Sequence, residues 1–374
     1  MLRTFDMGDW IWLSRTLGEE KAVNSQNKSF NIACPAPTAD TGYIKLGHGS
    51  GGRMTEQLIE QAFLPALSNK ILAEKEDASV VPLTADRLAF TTDSYVVSPI
   101  IFPGGDIGSL SVHGTVNDLC MRGAKPLYLS AAFIMEEGLC RARLETVVNS
   151  MRDACVESGI QLVTADTKVV NKGCADELFI TTSGIGIIER QFVPSVSSAE
   201  EGDVVICSGD IGRHGMAIMA ARAGLDLENT IESDSAPLNI MVDRLAEIGV
   251  SLHVLRDVTR GGLAGVLNEI AQASQVGIEI EELQIGVVDQ VRAACEILGL
   301  DPLYVACEGR LVAIVKAVDE AIALEILRNS PHGQNAKTIG RVVAEHPERV
   351  VMRSRVGGRR IVDKLSGEQL PRIC

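Results

Sequence analysis

The sequence predicts a two-domain protein of the mixed α/β class. Its 374 residues make about two domains of ordinary size. Short β-branched segments alternate with longer stretches whose apolar residues recur at helical spacing, in both halves of the chain. A hydrophobic content of 46% with 22% charged residues is enough to fill two cores and excludes wholesale disorder. The expected division is an extension over residues 1–42, a first domain over 43–193, a second over 194–365 and a mobile tail over 366–374.

Residues 1–42 differ in texture from the rest. Both tryptophans, Trp10 and Trp12, lie here, followed by the polar run VNSQNKS and the proline-spaced CPAPTAD. This reads as a poorly ordered extension. A short docking helix over residues 10–17 is the equal alternative, since a tryptophan pair is rarely left in water. From Gly49 a glycine turn feeds a helix with Met54, Leu58, Ile59, Ala62 and Phe63 on one face. DASVVPL, DRLAFTTDSYVVSP, KPLYLSAAFIME, IQLVTADTKVV and ELFITTSGIGII read as strands, and IGSLSVHGTVNDLCMRG and RLETVVNSMRDACVESG as helices between them. After Val193 comes a separate α/β unit: strand EEGDVVICSGD, helices HGMAIMAARAG and APLNIMVDRLAEIG, and strand, glycine turn and helix in HVLRDVTRGGLAGVLNEIAQAS. GIEIEE, DQVRAACEILGL, the strand pattern YVACEGRLVAIV and DEAIALEILRNS continue it, and RSRVGGRR reads as a charged hairpin around Gly357 and Gly358.

Charge and cysteines exclude several classes. Lys+Arg 35 against Asp+Glu 49 gives a net charge of -14, which repels nucleic-acid backbones and anionic membrane surfaces. Nine cysteines, at positions 34, 120, 140, 155, 174, 207, 295, 307 and 374, include no C-x-x-C pair, so no zinc ribbon or thioredoxin-type site is written. The odd count, the absence of a leader and the lack of an apolar run long enough to span a bilayer point to reduced thiols in the cytoplasm. All cysteines but Cys374 are expected as packing residues.

Four aspartates stand at strand ends or helix termini beside glycine or threonine: Asp93, Asp118, Asp166 and Asp257. Strand ends are where α/β folds place ligands. Carboxylates suit phosphate only with Mg²⁺ between them, so Asp93, Asp118 and Asp257 are the expected metal ligands. Lys168, two residues after Asp166, shares its side of a strand and offers charge to a phosphoryl group. Any one such aspartate also reads as a turn or cap residue. The run His48, Gly49, Ser50, Gly51, Gly52 can present backbone N–H groups to an anion, and equally reads as a flexible turn with His48 as a cap. Cys374 follows Pro371 and Arg372 on a strap that could carry a group between sites, or is incidental.

HGSGG opening a helix, TTDSYVVSP, VNDLCMRGAKPLYLSAAFIMEEG, VTADTKVV, RDVTRGGLAGVLNEIA, CEGRLV and a final PRIC follow in that order. Over about residues 43–374 they closely resemble the HypE family, the carbamoyl dehydratases of NiFe-hydrogenase maturation. The central motifs are shared more loosely with aminoimidazole ribonucleotide synthetase, selenophosphate synthetase and thiamine-phosphate kinase. The resemblance implies a two-domain synthetase-like α/β fold and a homodimer whose N-terminal sheets form a shared β-barrel, with ATP and Mg²⁺ between the domains. It implies that Cys374 receives a carbamoyl group from the carbamoyltransferase HypF, that ATP activates the amide oxygen, and that loss of phosphate leaves a thiocyanate. Cyanide would pass to iron on the HypC–HypD complex.

On this reading the nucleotide contacts His48, Gly49, Ser50, Gly51, Gly52, Asp118, Asp166 and Lys168. Lys168 offsets phosphoryl charge, and Glu308, acidic between two hydrophobic runs, is the expected base for the amide protons. The alternative for Glu308 is a salt bridge to Arg310 or another cation. Two other functions fit the chain: a kinase or synthetase of the same superfamily acting on a free substrate, for which Cys374 is dispensable, and a non-catalytic carrier presenting Cys374 to partner enzymes.

Overall fold

The computed structural model describes residues 42–49, 53–71, 83, 87–189, 193–224, 230–364 and 372–374. The expected extension at residues 1–41, the glycine-turn residues Ser50, Gly51 and Gly52, most of DASVVPL, and tail residues 366–371 lie outside them. In chain order the first half forms α1 (Arg53–Leu58), α2 (Leu64–Leu67), β1 (Leu88–Tyr95), β2 (Ile101–Phe102), β3 (Gly105–Asp106), α3 (Ile107–Met121), β4 (Lys125–Glu136), α4 (Arg141–Ser158), β5 (Gln161–Val170) and β6 (Leu178–Ile187). The second half forms β7 (Val204–Cys207), α5 (Arg213–Ala223), α6 (Asn239–Glu247), β8 (Leu252–Asp257), α7 (Gly262–Ser274), β9 (Gly277–Glu281) and α8 (Asp289–Leu298). It ends with β10 (Leu311–Val315), α9 (Glu320–Arg328), β11 (Lys337–Val343), β12 (Val350–Arg353) and β13 (Arg359–Val362).

The first sheet runs β1-β6-β4-β5, antiparallel except for the parallel β4–β5 pair. Its strands alternate. On β1, Leu88, Phe90, Thr92 and Ser94 face outward while Ala89, Thr91, Asp93 and Tyr95 face the layer that holds α3. Phe90 is 71% exposed, so among the described residues one face of this sheet stays uncovered. Helix α3 is buried on nearly every side, which its continuous run of small and apolar residues allows. Asp106 caps it, accepting from the N–H groups of Gly108 at 2.7 Å and Ser109 at 3.1 Å.

The second sheet runs β13-β12-β9-β11-β7-β10-β8, and its one parallel pair is β12–β9. Strand β7 is buried at all four residues, because helices cover both faces. Val204 and Ile206 join a core shared with the first half, and Val205 and Cys207 join a second core under α7. The charged hairpin is present as β12 and β13, paired from Val350↔Val362 to Arg353↔Arg359.

Two expectations change. Glu308 precedes β10 in a bend rather than lying within a strand, because Tyr304 ends a 3₁₀ turn at Pro302–Tyr304 and residues 305–310 run as a loop. Of the cysteines expected to pack, Cys174 is exposed and Cys140 half-buried. Among the described residues no helix is long and apolar enough to cross a membrane.

Candidate active site

Three carboxylates converge from separate elements: Asp93 near the end of β1, Asp118 in the last turn of α3 and Asp257 closing β8. The turn after Asp257 is cut to fit. A Cβ on Gly262, whose φ is +62°, would lie 2.6 Å from the Leu303 carbonyl oxygen, so only glycine lets α7 start here. Thr91, two residues before Asp93 and on the same face, donates to Asp118 Oδ2 at 2.8 Å. Burial and then Asp93 raise the Asp118 carboxyl, against the Thr91 bond and Arg256. Asp257 is pushed up to about 7, by burial first and then by Asp118, with Arg256 opposing. Like charges crowded out of water act in this way.

Among the described residues, no three His, Cys, Asp or Glu side chains close tightly enough to hold a metal by themselves. The donors are nevertheless all hard oxygens in an open arrangement. That suits Mg²⁺, which takes one or two protein carboxylates and completes its shell with water and phosphate oxygens. A cleft of about 310 Å³ opens beside them, lined from the first half by Thr91, Asp118 and Arg122 and from the second by Val196, Leu255 and Arg256.

Glu308 is 4% exposed and belongs to the same group. Its backbone is fixed: its N–H donates to Asp234 Oδ1 at 3.1 Å, and its carbonyl accepts from Ala236 N–H at 3.3 Å and Asn117 Nδ2 at 3.4 Å. Its Oε1 is buried with no hydrogen-bond partner. Burial, then Asp257, Asp234, Asp93 and Asp118, push its carboxyl well above the ordinary 4.5. Arg310, the alternative partner, turns instead to Asp210 at 3.6 Å and Asp234 at 3.7 Å.

Cys374 sits half-buried against this group. Its Sγ lies 3.6 Å from Arg260 Nη2. The thiol is raised to about 11 by burial and then Glu308, with Arg260 opposing. The expectation of a mobile tail changes for its last three residues, which are docked. Ile373 is buried, and Val96 N–H donates to the Cys374 carbonyl at 3.2 Å. His214 Nε2 donates to the Ile373 carbonyl at 2.6 Å, and Arg222 donates to that of Arg372. Arg372 pairs with Asp176 at 2.6 Å and lies over the Phe179 ring.

Asp166 and Lys168 do not join the cluster within this chain. Along the paired strands Asp93 stands in row with Thr182, Ala131 and Ala165, whereas Asp166 stands in row with Ala132, Thr181 and Ser94. One residue of offset sends Asp166 and Lys168 to the uncovered face of the sheet. There Lys168 Nζ binds both Asp166 oxygens, at 2.8 and 2.9 Å, and that bond is the first cause of a lowered Asp166 carboxyl. His48 takes the capping part: its Nδ1 accepts from Lys45 N–H at 2.9 Å. Its short 3₁₀ turn, Leu46–Gly49, packs beside β5.

Residue-level reading of the sequence missed Tyr95, Arg256 and Arg260. The signals were present: Arg256 and Arg260 lie inside RDVTRGG, and Tyr95 stands two residues past Asp93, on the same face of a strand.

Comparison with known proteins adds independent findings. Family models for AIR synthase related protein match here, the N-terminal domain over residues 75–188 and the C-terminal domain over 200–353. The carbamoyl dehydratase HypE of Cupriavidus necator is 49% identical over 335 residues, covering 89% of this chain and 95% of that protein. A crystal structure of the hydrogenase maturation protein HypE in complex with ATP superposes with a TM-score of 0.85 at 49% identity, covering 88% of this chain and 99% of that one. The structure of a HypE–HypF complex superposes with a TM-score of 0.73 at 46% identity, covering 82% and 99%.

Proposed function

Since the chain belongs to the HypE family of AIR synthase related proteins, we propose that it uses ATP to dehydrate a carboxamide carried on Cys374 to a thiocyanate, the source of hydrogenase cyanide. The single observation that carries this reading is the seat of Cys374, whose thiol rests beside Glu308, Arg260 and the aspartate group. A free-substrate kinase needs no thiol there.

The chemistry balances in two steps. The amide oxygen attacks the γ-phosphorus, the bond to ADP breaks, and one N–H proton leaves, giving an S-bound imidate phosphate. Loss of the second N–H proton then expels phosphate as the C–O bond breaks and C≡N forms. Glu308 is the base: a buried carboxyl with an unsatisfied oxygen is poised to hold a proton. Asp93, Asp118 and Asp257 would hold Mg²⁺, which would supply charge compensation for the phosphoryl group. Arg256, already between Asp118 and Asp257 electrostatically, adds to it from within the chain.

Lys168 and Asp166 enter through a second copy. The first sheet's edges are β1, carrying Asp93, and β5, carrying Asp166 and Lys168. They are three strand spacings apart, about 14 Å. Two sheets closing into a barrel would bring β1 of one copy against β5 of the other and cover Phe90, so that the edge carrying Lys168 runs alongside the partner's edge carrying Asp93. HypF supplies the carbamoyl group, as the complex of a relative supports. The HypC–HypD complex accepts cyanide, in the cytoplasm, where the free cysteines stay reduced.

Intact-mass spectrometry tests this. With carbamoyl phosphate, ATP and the carbamoyltransferase, the chain should gain the mass of one carbamoyl group and then lose that of one water. Cys374→Ala should show neither change while still binding ATP, and an adduct surviving that substitution would sink the reading.

A further inference from the structure

Among the described residues, Glu308 Oε1 and the neighbouring Tyr95 hydroxyl are buried without a closed hydrogen bond. Tyr95 is 1% exposed. Burying a hydroxyl without a partner is costly, and natural chains rarely leave one so unless a ligand or water completes it. Phenylalanine would fill the same space without that cost. The fold also makes room for the oxygen specifically. A Cβ on Gly114 of α3 would stand 2.1 Å from Tyr95 Oη, so the glycine opens the helix surface where the phenol ends.

The surroundings identify what the hydroxyl meets. Asp93 and Glu308 are the charged groups acting on Tyr95, and Asp93 and Thr115 are near enough to act on its hydroxyl as hydrogen-bonding groups, though neither closes a full hydrogen bond with it. Glu308 and Asp93 also act on the Cys374 thiol. The residue after Tyr95 donates its N–H to the Cys374 carbonyl. Tyr95 and Cys374 therefore lie beside the same carboxylates, joined through the backbone bond of Val96 to Cys374.

We propose that the Tyr95 phenol is a positioning residue for the primary carboxamide on Cys374, its oxygen accepting one amide N–H while Glu308 takes the other. A primary amide is planar, with two N–H donors and one carbonyl oxygen. Fixing both N–H directions fixes the plane, and so aims the oxygen away from Glu308 and Tyr95 toward the phosphoryl group. The phenol's own hydrogen turns to Asp93. A hydroxyl in this place recognises a carboxamide and gives nothing to an S-alkyl or S-acyl group without N–H. The inference rests on the dehydratase reading above and specifies how its substrate is oriented.

Tyr95→Phe tests it in the full-length protein, carbamoylated by the carbamoyltransferase with carbamoyl phosphate and ATP. The variant should melt no lower than the parent and bind ATP with unchanged affinity, because ring and packing stay. Its single-turnover conversion of carboxamide to thiocyanate, followed by intact mass, should slow about tenfold or more, the value of one hydrogen bond expressed only in the aligned state. Conversion at the parental rate overturns the proposal, whether or not the melting temperature rises. A slowed rate explained wholly by weaker ATP binding overturns it too, since that split marks a role in nucleotide binding rather than amide alignment. If the parent protein itself forms no thiocyanate, the dehydratase reading fails first, and that result is distinct from an effect confined to Tyr95→Phe.

Discussion

At the scale of single residues, burial suits Glu308 to the base role proposed for it. Its carboxyl has lost water and gained four acidic neighbours, so it binds a proton more tightly than an exposed glutamate, and its ionised form is the stronger base. In the folded chain its affinity for that proton is raised above the unfolded value. Stability from this group is present below about pH 4.5 and is lost as pH rises through the folded value. Glu308→Gln is uncharged at every pH. It should therefore gain in melting temperature over the parent between pH 5 and pH 8, while thiocyanate formation slows about 100-fold or more for want of a base. Thermal melts across that range and single-turnover mass measurements check both halves. A variant that melts lower and turns over normally would make Glu308 a structural ion-pair partner, a role that Arg310 has already given to Asp210 and Asp234.

At the scale of elements, the docked C-terminal segment binds across the loop after β1. Val96 and Ser98 donate N–H groups to the carbonyls of Cys374 and Arg372, and Ile373 is buried. Removing residues 372–374 should cost about 2 kcal/mol, the burial of one large aliphatic side chain. It should also speed hydrogen exchange at Val96 and Ser98, measurable by mass spectrometry. Unchanged exchange at both amides would mean the segment is not docked in solution. Much at this scale was legible in the sequence. Asp93, Asp118 and Asp257 each lie at or near the end of an element that the sequence outlines, and the glycines of RDVTRGGLAG announce the turn from β8 into α7. Which face of the sheet carries Asp166 and Lys168 relative to Asp93 was not legible. Alternation gives parity within a strand, and register between strands is set by packing that no single segment encodes. The docking of residues 372–374 was hidden for the same reason, since their partners His214, Arg222 and Val96 lie far away in sequence.

At the scale of the whole molecule, the uncovered sheet face and the separation of Lys168 from Asp93 lead to one test. In a dimer that shares its sites, Asp93→Asn and Lys168→Ala should each be nearly inactive alone. Mixed and allowed to exchange subunits, they should recover about a quarter of parental turnover, because half the pairs are mixed and each mixed pair has one intact site. No recovery, with exchange verified by native mass spectrometry, would place both residues in the same chain's site. The assembly of the carboxylate group from distant segments also has a consequence in time. Asp93 and Asp118 leave the ribosome early and can settle together on α3 and β1, since Thr91 already joins them. Asp257 and Glu308 follow some 140 to 190 residues after Asp118, and only then are the carboxylates crowded enough to hold protons. On the proposed mechanism the nascent chain therefore holds two of its proposed metal-site carboxylates well before the proposed base, and the site is complete only when the segment bearing Cys374 is itself being made.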